Sequence, residues 1–136
     1  MEPTIEQDAP AARPIQVARA VQLLTSALVI GLIASTVRLW SQVSGTTLLL
    51  ALLMLLAFLT IFFYLIRKIS AGRNWARILL LVLVLLGTPF AIPSYIAELR
   101  TNVLPGALSI VIIILQLIAT ILLFTKNSNR WFRKSV

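Results

Sequence analysis

The sequence predicts an all-α fold, an up-down bundle of four transmembrane helices with both termini on the same side of the membrane. Four uncharged apolar runs, the placement of positive charge and the placement of Trp and Tyr favour this class. The runs cover residues 20–37, 39–66, 78–97 and 101–125. Each reaches the ~18 residues with few or no charges that make a candidate for crossing a hydrocarbon core ~30 Å thick. Together they fill most of the 136 residues and leave no room for a soluble domain.

Positive charge is concentrated on one side of this bundle. Of the 12 Lys and Arg residues, only Arg38 and Arg100 lie on the outer side, and the others lie in the N-terminal segment, the central loop and the C-terminal tail. Because short loops rich in Lys and Arg stay in the cytoplasm, both termini are predicted to be cytoplasmic. Residues that favour membrane interfaces agree with these boundaries: Trp40 and Tyr95 outside, and Tyr64, Trp75 and Trp131 inside.

The elements follow in order from these runs and from the breakers between them. Residues 1–14 contain three prolines and three acids and predict a disordered cytoplasmic tail, and this acidic start argues against a cleaved signal peptide. The predicted helices cover residues 15–40, 46–66, 75–97 and 103–125, and residues 126–136 form a basic cytoplasmic tail. Connections this short make consecutive helices antiparallel neighbours.

Helix 3 is predicted to kink in its outer half, where Pro89 and Pro93 each remove a backbone donor. Gly87 and Ala91 lie beside the bend and permit close helix packing. Both a static kink and a working hinge fit this pattern, and the static kink is favoured because proline is ordinary in membrane helices.

Two helix faces inside the predicted bundle are candidates for helix packing or for lining a cavity. Helix 4 carries a candidate intramembrane polar face formed by Ser109, Gln116 and Thr120. Helix 1 carries a stripe of small residues at every fourth position, Ala27, Gly31 and Ser35, of the kind that lets helix backbones approach closely. Hydrogen bonding between helices is the favoured interpretation, and a cavity for solute or lipid is the alternative. Either way, helices 1 and 4 should face protein, and Leu-rich helix 2 should face lipid on most sides.

The segments after helices 2 and 4 share the order Lys, Ser, Arg, Trp, Arg, at residues 68–77 and 126–133. A duplicated hairpin with pseudo-twofold symmetry would produce this order, and so would the tendency of inner loops to collect Lys, Arg and Trp. The sequence leaves both open. The segments AGRNWAR and NRWFR within these stretches resemble those of small four-helix bacterial inner-membrane proteins of unknown function. The resemblance implies a bacterial inner membrane and carries no activity.

Catalytic chemistry finds little support in these residues. The chain has no Cys and no His, so we expect no catalytic, cofactor-binding or metal site and no cofactor. Outside the N-terminal tail the only acid is Glu98, which is expected to pair with Arg100 or Arg38 at the outer surface. Small multidrug exporters of similar size rely on a glutamate within their first helix, and its absence here disfavours proton-coupled transport.

The basic inner side suits anionic lipid head groups. The residues predicted at this interface are Arg67, Lys68, Arg73, Trp75, Arg77, Lys126, Arg130, Trp131, Arg133 and Lys134. No nucleic-acid or metal partner is expected, because the charges lie between spans. The sequence therefore predicts a small non-enzymatic integral membrane protein that acts through helix–helix contacts as a subunit, accessory or immunity-type protein. We expect it to have a membrane-protein partner or to form a homo-oligomer. The alternative is a small oligomeric channel or transporter for an uncharged or lipophilic solute.

Overall fold

The computed structural model describes residues 13–42 and 46–134. These residues form five helices: α1 (Ile15–Gln42), α2 (Thr46–Ser70), α3 (Asn74–Thr101), α4 (Val103–Leu123) and α5 (Lys126–Lys134). The first four are each long and apolar enough to cross a membrane. The predicted all-α four-helix class is confirmed, and the chain is a small integral membrane protein with several spans. Residues 1–12 of the predicted tail and 43–45 of the first outer turn lie outside the described residues.

Several helix ends differ from the prediction: α1 continues to Gln42, two residues past its predicted end, and α4 ends two residues early, at Leu123. The α2 helix continues to Ser70, since Arg and Lys are good helix formers and are favoured near a helix C-terminus. The α3 helix continues to Thr101, so the predicted loop 98–102 is reduced to Asn102, whose N–H donates to the Glu98 carbonyl at 2.7 Å. The predicted basic tail forms α5, which is separated from the end of α4 by two residues, 124 and 125.

The turn between α2 and α3 is a helix C-cap built on Gly72. The Gly72 N–H donates to the Ile69 carbonyl and the Arg73 N–H to the Lys68 carbonyl, both at 3.0 Å. Gly72 has a φ of 78°, a conformation that glycine adopts without steric cost. This cap turns the chain back within three residues and makes α2 and α3 antiparallel.

The bundle has two ends, which we call the terminal end and the distal end. The terminal end comprises the starts of α1 and α3, the ends of α2 and α4, and α5, and the distal end lies opposite. The most extensive helix contact is between α1 and α4, followed by that between α3 and α4, whereas α2 packs on α1 and less on α3. At the terminal end, the Arg13 guanidinium donates to the carbonyl and the hydroxyl of Ser70, at 2.7 and 2.6 Å, and ties α1 to α2.

The buried apolar core lies in the terminal half of the bundle. Its members are Val17, Ala20, Leu24, Phe62, Leu65, Ile66, Ile69, Ala76, Leu80, Val84, Ala119, Leu123 and Phe132. None of residues 47–61 of α2 and none of residues 85–101 of α3 is buried. The outward surface of α2 and the central place of α1 and α4 agree with the packing expected from the sequence.

Candidate functional site

A cavity of about 370 Å³ lies between the four long helices, from the middle of the bundle toward its distal end. Its walls are mainly aliphatic and aromatic side chains. Phe62 of α2 and Val84 of α3 line the cavity and also belong to the buried core, so the cavity ends where the core begins. It is therefore closed toward the terminal end and does not run through the bundle.

Polar side chains from three helices reach this cavity: Ser35 and Arg38 of α1, Thr88 and Tyr95 of α3, and Ser109 and Gln116 of α4. The structure thus brings two members of the predicted polar face of helix 4 to the same wall. The third, Thr120, is buried nearer the terminal end, and its hydroxyl donates to the carbonyl of Gln116 on its own helix at 2.7 Å. The polar groups are few and separated by apolar surface, as in small-molecule sites.

The small residues of α1 form the wall that the cavity shares with the contact between α1 and α4. Ala27 is 3% exposed, and a Cβ added at Gly31 would lie 3.8 Å from Cδ1 of Ile112, an ordinary van der Waals distance. Both residues line the cavity together with Ser35. The stripe serves the packing of α4 against α1 and at the same time leaves space beside it.

Gly87 and Ala91 of α3 also line the cavity. A Cβ added at Gly87 would meet no atom within 4 Å, so this glycine does not lie at a close helix contact as the sequence suggested. Its lack of a side chain leaves open space at this point of the wall. The α3 helix continues through Pro89 and Pro93 as one element.

The close helix approach is at Gly106, near the start of the helix predicted over residues 103–125. Gly106 is buried in the first turns of α4, and a Cβ there would lie 2.8 Å from the Cα and N atoms of Leu99 in α3. Pro105 precedes it without disturbing the helix, because the first turn needs no intrahelical donor. A Pro-Gly pair directly after a helix break was the only signal in the sequence for this contact.

An ion pair joins three helices at the distal end of the cavity. Arg38 of α1 donates to both carboxylate oxygens of Glu98 in α3, with the Nη2–Oε2 distance 2.6 Å. Arg38 Nη2 also donates to the hydroxyl of Ser109 in α4, which in turn donates to the Pro105 carbonyl at 2.9 Å. The guanidinium carbon lies 5.9 Å from the centre of the Tyr95 ring. A bidentate pair of this kind fixes geometry as well as charge, so it holds the distal ends of these helices in register.

Gln116 is the polar group placed deepest along the α4 wall. Its side chain is partly exposed to the cavity, and no described residue forms a hydrogen bond with its amide. The hydrogen bond to another helix that the sequence suggested is therefore absent from the described part of the chain. An amide in an apolar wall can both donate and accept, which suits it to orient a bound molecule.

The terminal end holds a second cluster, centred on Arg77 of α3. Arg77 was predicted at the lipid interface, yet its side chain is 8% exposed. It donates to the side-chain oxygens of Asn74 at 2.5 Å and Asn129 at 2.6 Å, and its guanidinium carbon lies 5.1 Å from the Phe124 ring centre and 4.5 Å from that of Phe132. Arg77 therefore links α3 to α5, and its guanidinium is bound by groups of the protein itself.

The other residues predicted at the inner interface lie at the same end of the bundle. Exposed among them are Arg67, Arg73, Trp75, Lys126, Arg130 and Arg133, and half-buried are Lys68 and Trp131. The side chain of Lys134 lies outside the described part of the chain.

Comparison of the chain with protein-family models, curated proteins and solved structures finds no match. The resemblance to small bacterial inner-membrane proteins thus stays a prediction from two short segments.

Proposed function

We propose that the protein is a non-enzymatic membrane protein that binds an uncharged lipophilic or amphipathic molecule in the cavity between its four helices. The observation that carries this proposal is the cavity itself, with apolar walls and a few convergent polar groups. A volume of about 370 Å³ falls within the ~300–1,000 Å³ typical of small-molecule sites. Because the buried core closes the cavity at the terminal end, binding within the membrane fits this geometry better than an open channel through one chain.

The cavity volume limits the size of the occupant. An apolar cavity of ~150 Å³ takes up benzene, with its six carbon atoms. By the same ratio, about 370 Å³ accommodates on the order of 15 non-hydrogen atoms. A short acyl chain or a molecule of two or three rings has this size, whereas a whole two-chain phospholipid does not.

The charges around the cavity favour an uncharged occupant. Among the described residues that line the cavity, Arg38 alone carries a permanent charge, and Glu98 neutralises it through a bidentate pair. A charged ligand would lose its hydration without gaining an opposite charge, which is costly in an apolar site. The polar end of a neutral amphipathic molecule could instead meet Gln116, Thr88 or Tyr95, with its apolar part against Phe58 and Phe62 of α2.

We propose that the occupant enters from the lipid between the distal halves of α2 and α3. Both helices are buried only in their terminal halves, and the cavity wall between them includes Phe58, Gly87 and Ala91. A Cβ at Gly87 would meet no atom within 4 Å, and α2 and α3 pack on each other less than the other neighbouring long helices do. A molecule dissolved in the bilayer could reach the cavity here without crossing a polar surface.

The orientation belongs to this proposal, with the terminal end in the cytoplasm of a bacterial cell and the distal end outside. It rests on the Lys and Arg residues at the terminal end. The chain has no native Cys, so single-cysteine variants report the orientation directly. We expect an impermeant maleimide to label Asn102→Cys in intact cells and Asn127→Cys only after lysis. The reverse pattern would place the cavity in the inner leaflet.

Photolabelling of the protein in nanodiscs tests the binding proposal. An uncharged long-chain alcohol that carries a diazirine is the probe, and mass spectrometry locates the adducts. We expect saturable labelling at cavity residues such as Phe58 and Gln116, suppressed by an excess of the same alcohol without diazirine. Met54 and Phe90, which are 73% and 83% exposed, serve as positions that any lipid-dissolved probe reaches without saturation. Labelling that saturates nowhere would contradict the proposal.

A second candidate function is that of a subunit, accessory or immunity-type protein, or of a homo-oligomer. The observation in its favour is the apolar distal half of α2, where Leu49, Leu50 and Leu56 are each more than 60% exposed. The exchange Gln116→Leu separates the two functions. Loss of saturable labelling with unchanged particle mass would support the cavity, and a changed particle mass or loss of a stoichiometric co-purifying protein would support the subunit.

A further inference from the structure

We propose that α5 presents a preformed binding surface for the head groups of anionic phospholipids. Three cationic side chains, Lys126, Arg130 and Arg133, lie on the exposed side of this helix. Their spacing of four and three residues places them on one face. On the other side, Phe132 and Ser128 are 0% exposed and pack against the bundle. The helix thus divides into a docked side and a cationic side.

The docking of α5 is fixed by specific bonds. Ser128 donates to the Leu122 carbonyl at 2.8 Å and shares a hydrogen bond of 2.9 Å with Thr125. Arg77 of α3 reaches Asn129 by a hydrogen bond and stacks on the ring of Phe132. The cationic side of α5 is therefore held in one orientation and does not need to be ordered when a ligand binds, which lowers the entropic cost of binding.

The terminal end lacks any described group that could neutralise these charges. Within residues 13–42 and 46–134 the only carboxylate side chain is that of Glu98, which lies at the distal end and pairs with Arg38. Other exposed cations at the terminal end, among them Arg19, Arg67 and Arg73, add to the positive potential. A surface of one sign at a membrane boundary attracts counter-ions, and anionic lipids are the fixed ones there.

The start of α5 lies close to the end of a helix that can cross the bilayer. Only residues 124 and 125 separate α5 from α4, which is long and apolar enough to span a membrane, so we infer that the α5 cations lie near the level where that span leaves the hydrocarbon. Trp131, half-buried beside the cations, is a residue that favours this layer. Phosphate diesters with a net negative charge, as in phosphatidylglycerol, provide both the charge and the acceptor oxygens for Lys and Arg.

The test compares lipid retention by the whole protein in nanodiscs of phosphatidylcholine with 30% phosphatidylglycerol. Retained lipids are counted by native mass spectrometry after release from the nanodisc. Each Lys or Arg near an anionic surface strengthens binding by about fivefold, so we expect the triple variant Lys126→Gln, Arg130→Gln, Arg133→Gln to lose its preference for phosphatidylglycerol by at least tenfold. The charge-conserving variant Lys126→Arg, Arg130→Lys, Arg133→Lys should keep most of it.

A control with the same loss of charge removes three cations outside α5, in the variant Arg19→Gln, Arg67→Gln, Arg73→Gln. We expect its preference to fall by less than that of the α5 variant, because these three cations lie on separate elements while the cationic side of α5 stays complete. An equal loss in both triple variants would overturn the proposal, as would a wild-type protein without preference. Helicity and melting temperature of each variant report whether it is folded, and the single variant Arg130→Gln serves if the triple variant is not.

A third comparison tests the acidic residues of the N-terminal segment. If the preference appeared only after Glu2, Glu6 and Asp8 were replaced by Gln, the surface would belong to the N-terminal segment and the proposal would be overturned. The cavity lies away from α5. Photolabelling of the cavity and lipid retention by α5 therefore test the two proposals independently.

Discussion

Replacing Gly106 by alanine tests the contact that closes the distal end of the bundle. A Cβ at this position would lie 2.8 Å from the Cα and N atoms of Leu99 and equally close to its Cγ. Carbon atoms in ordinary contact lie ~3.5–4.0 Å apart, so α3 and α4 would have to separate by roughly 0.7–1.2 Å. Two of the atoms in the way belong to the backbone of α3, and no side-chain rotation relieves them.

The expected loss of stability follows from two opposing terms. Overpacking costs ~1–3 kcal/mol, and the upper half of this range applies where backbone has to move. Replacing Gly by Ala inside a helix stabilises that helix by ~1 kcal/mol, which offsets part of the cost of overpacking. We therefore expect the free energy of unfolding of Gly106→Ala to fall by about 1–2 kcal/mol.

The same substitution at two other glycines provides matched controls. A Cβ at Gly87 would meet no atom within 4 Å, and one at Gly31 would lie 3.8 Å from Ile112. We expect both variants to be as stable as the wild type or more stable by up to about 1 kcal/mol. The assay is reversible unfolding by SDS in mixed micelles, followed by circular dichroism. If Gly106→Ala were as stable as Gly87→Ala, the close approach of α3 and α4 would be refuted.

Two further predictions concern the ion pair and the docking of α5. Glu98→Gln keeps the size of the side chain but removes the charge that pairs with Arg38, so we expect the free energy of unfolding to fall by about 1–3 kcal/mol in the same assay. The control Arg100→Gln changes an exposed side chain and should have little effect. Equal effects of the two variants would argue that the ion pair contributes nothing to stability. Phe132→Ala removes a fully buried ring, so we expect the free energy of unfolding to fall by about 3 kcal/mol or more and trypsin to cleave within α5 faster. The control Phe90→Ala changes a residue that is 83% exposed and should leave both measurements unchanged. A neutral Phe132→Ala would mean that α5 is not docked.

The four spans could be predicted because each depends on local properties of the sequence. Bilayer thickness sets the length of an apolar run, and charges set its ends, so hydropathy alone finds the helices. The ends were less predictable. Residues such as Arg67 and Lys68 continue α2 beyond its uncharged run, and α3 continues through Glu98, whose carboxylate pairs with Arg38 of α1.

The sequence of the tail carries a weak signal for α5. Ser128 and Phe132 are four residues apart, the spacing of one helical face, and both are fully buried. Arg77, which stacks on Phe132, could not be identified as its partner from the sequence, since its charge alone placed it with the lipid-facing cations. Only the tertiary contact of α3 with α5 distinguishes it from Arg73, which is exposed.

The cavity depends on how the helices are placed relative to one another. Gln116 and the stripe around Gly31 fit a packed interface and a cavity wall equally well, because single-helix periodicity gives a face and not the distance to the next helix. Likewise, Gly87 and Gly106 look alike in the sequence, yet one opens a space and the other permits backbone contact. Such distinctions require the distances between helices.

The most direct test of the binding proposal fills the cavity from α3. Ala91 lines the cavity, whereas Ala97 on the same helix is exposed and does not. Photolabelling by the uncharged diazirine alcohol is measured for Ala91→Leu and Ala97→Leu in nanodiscs. The proposal predicts that Ala91→Leu loses most of the saturable labelling at Gln116, while Ala97→Leu retains it. Equal saturable labelling in both variants would show that the probe binds elsewhere and would contradict the assignment of this cavity as the binding site.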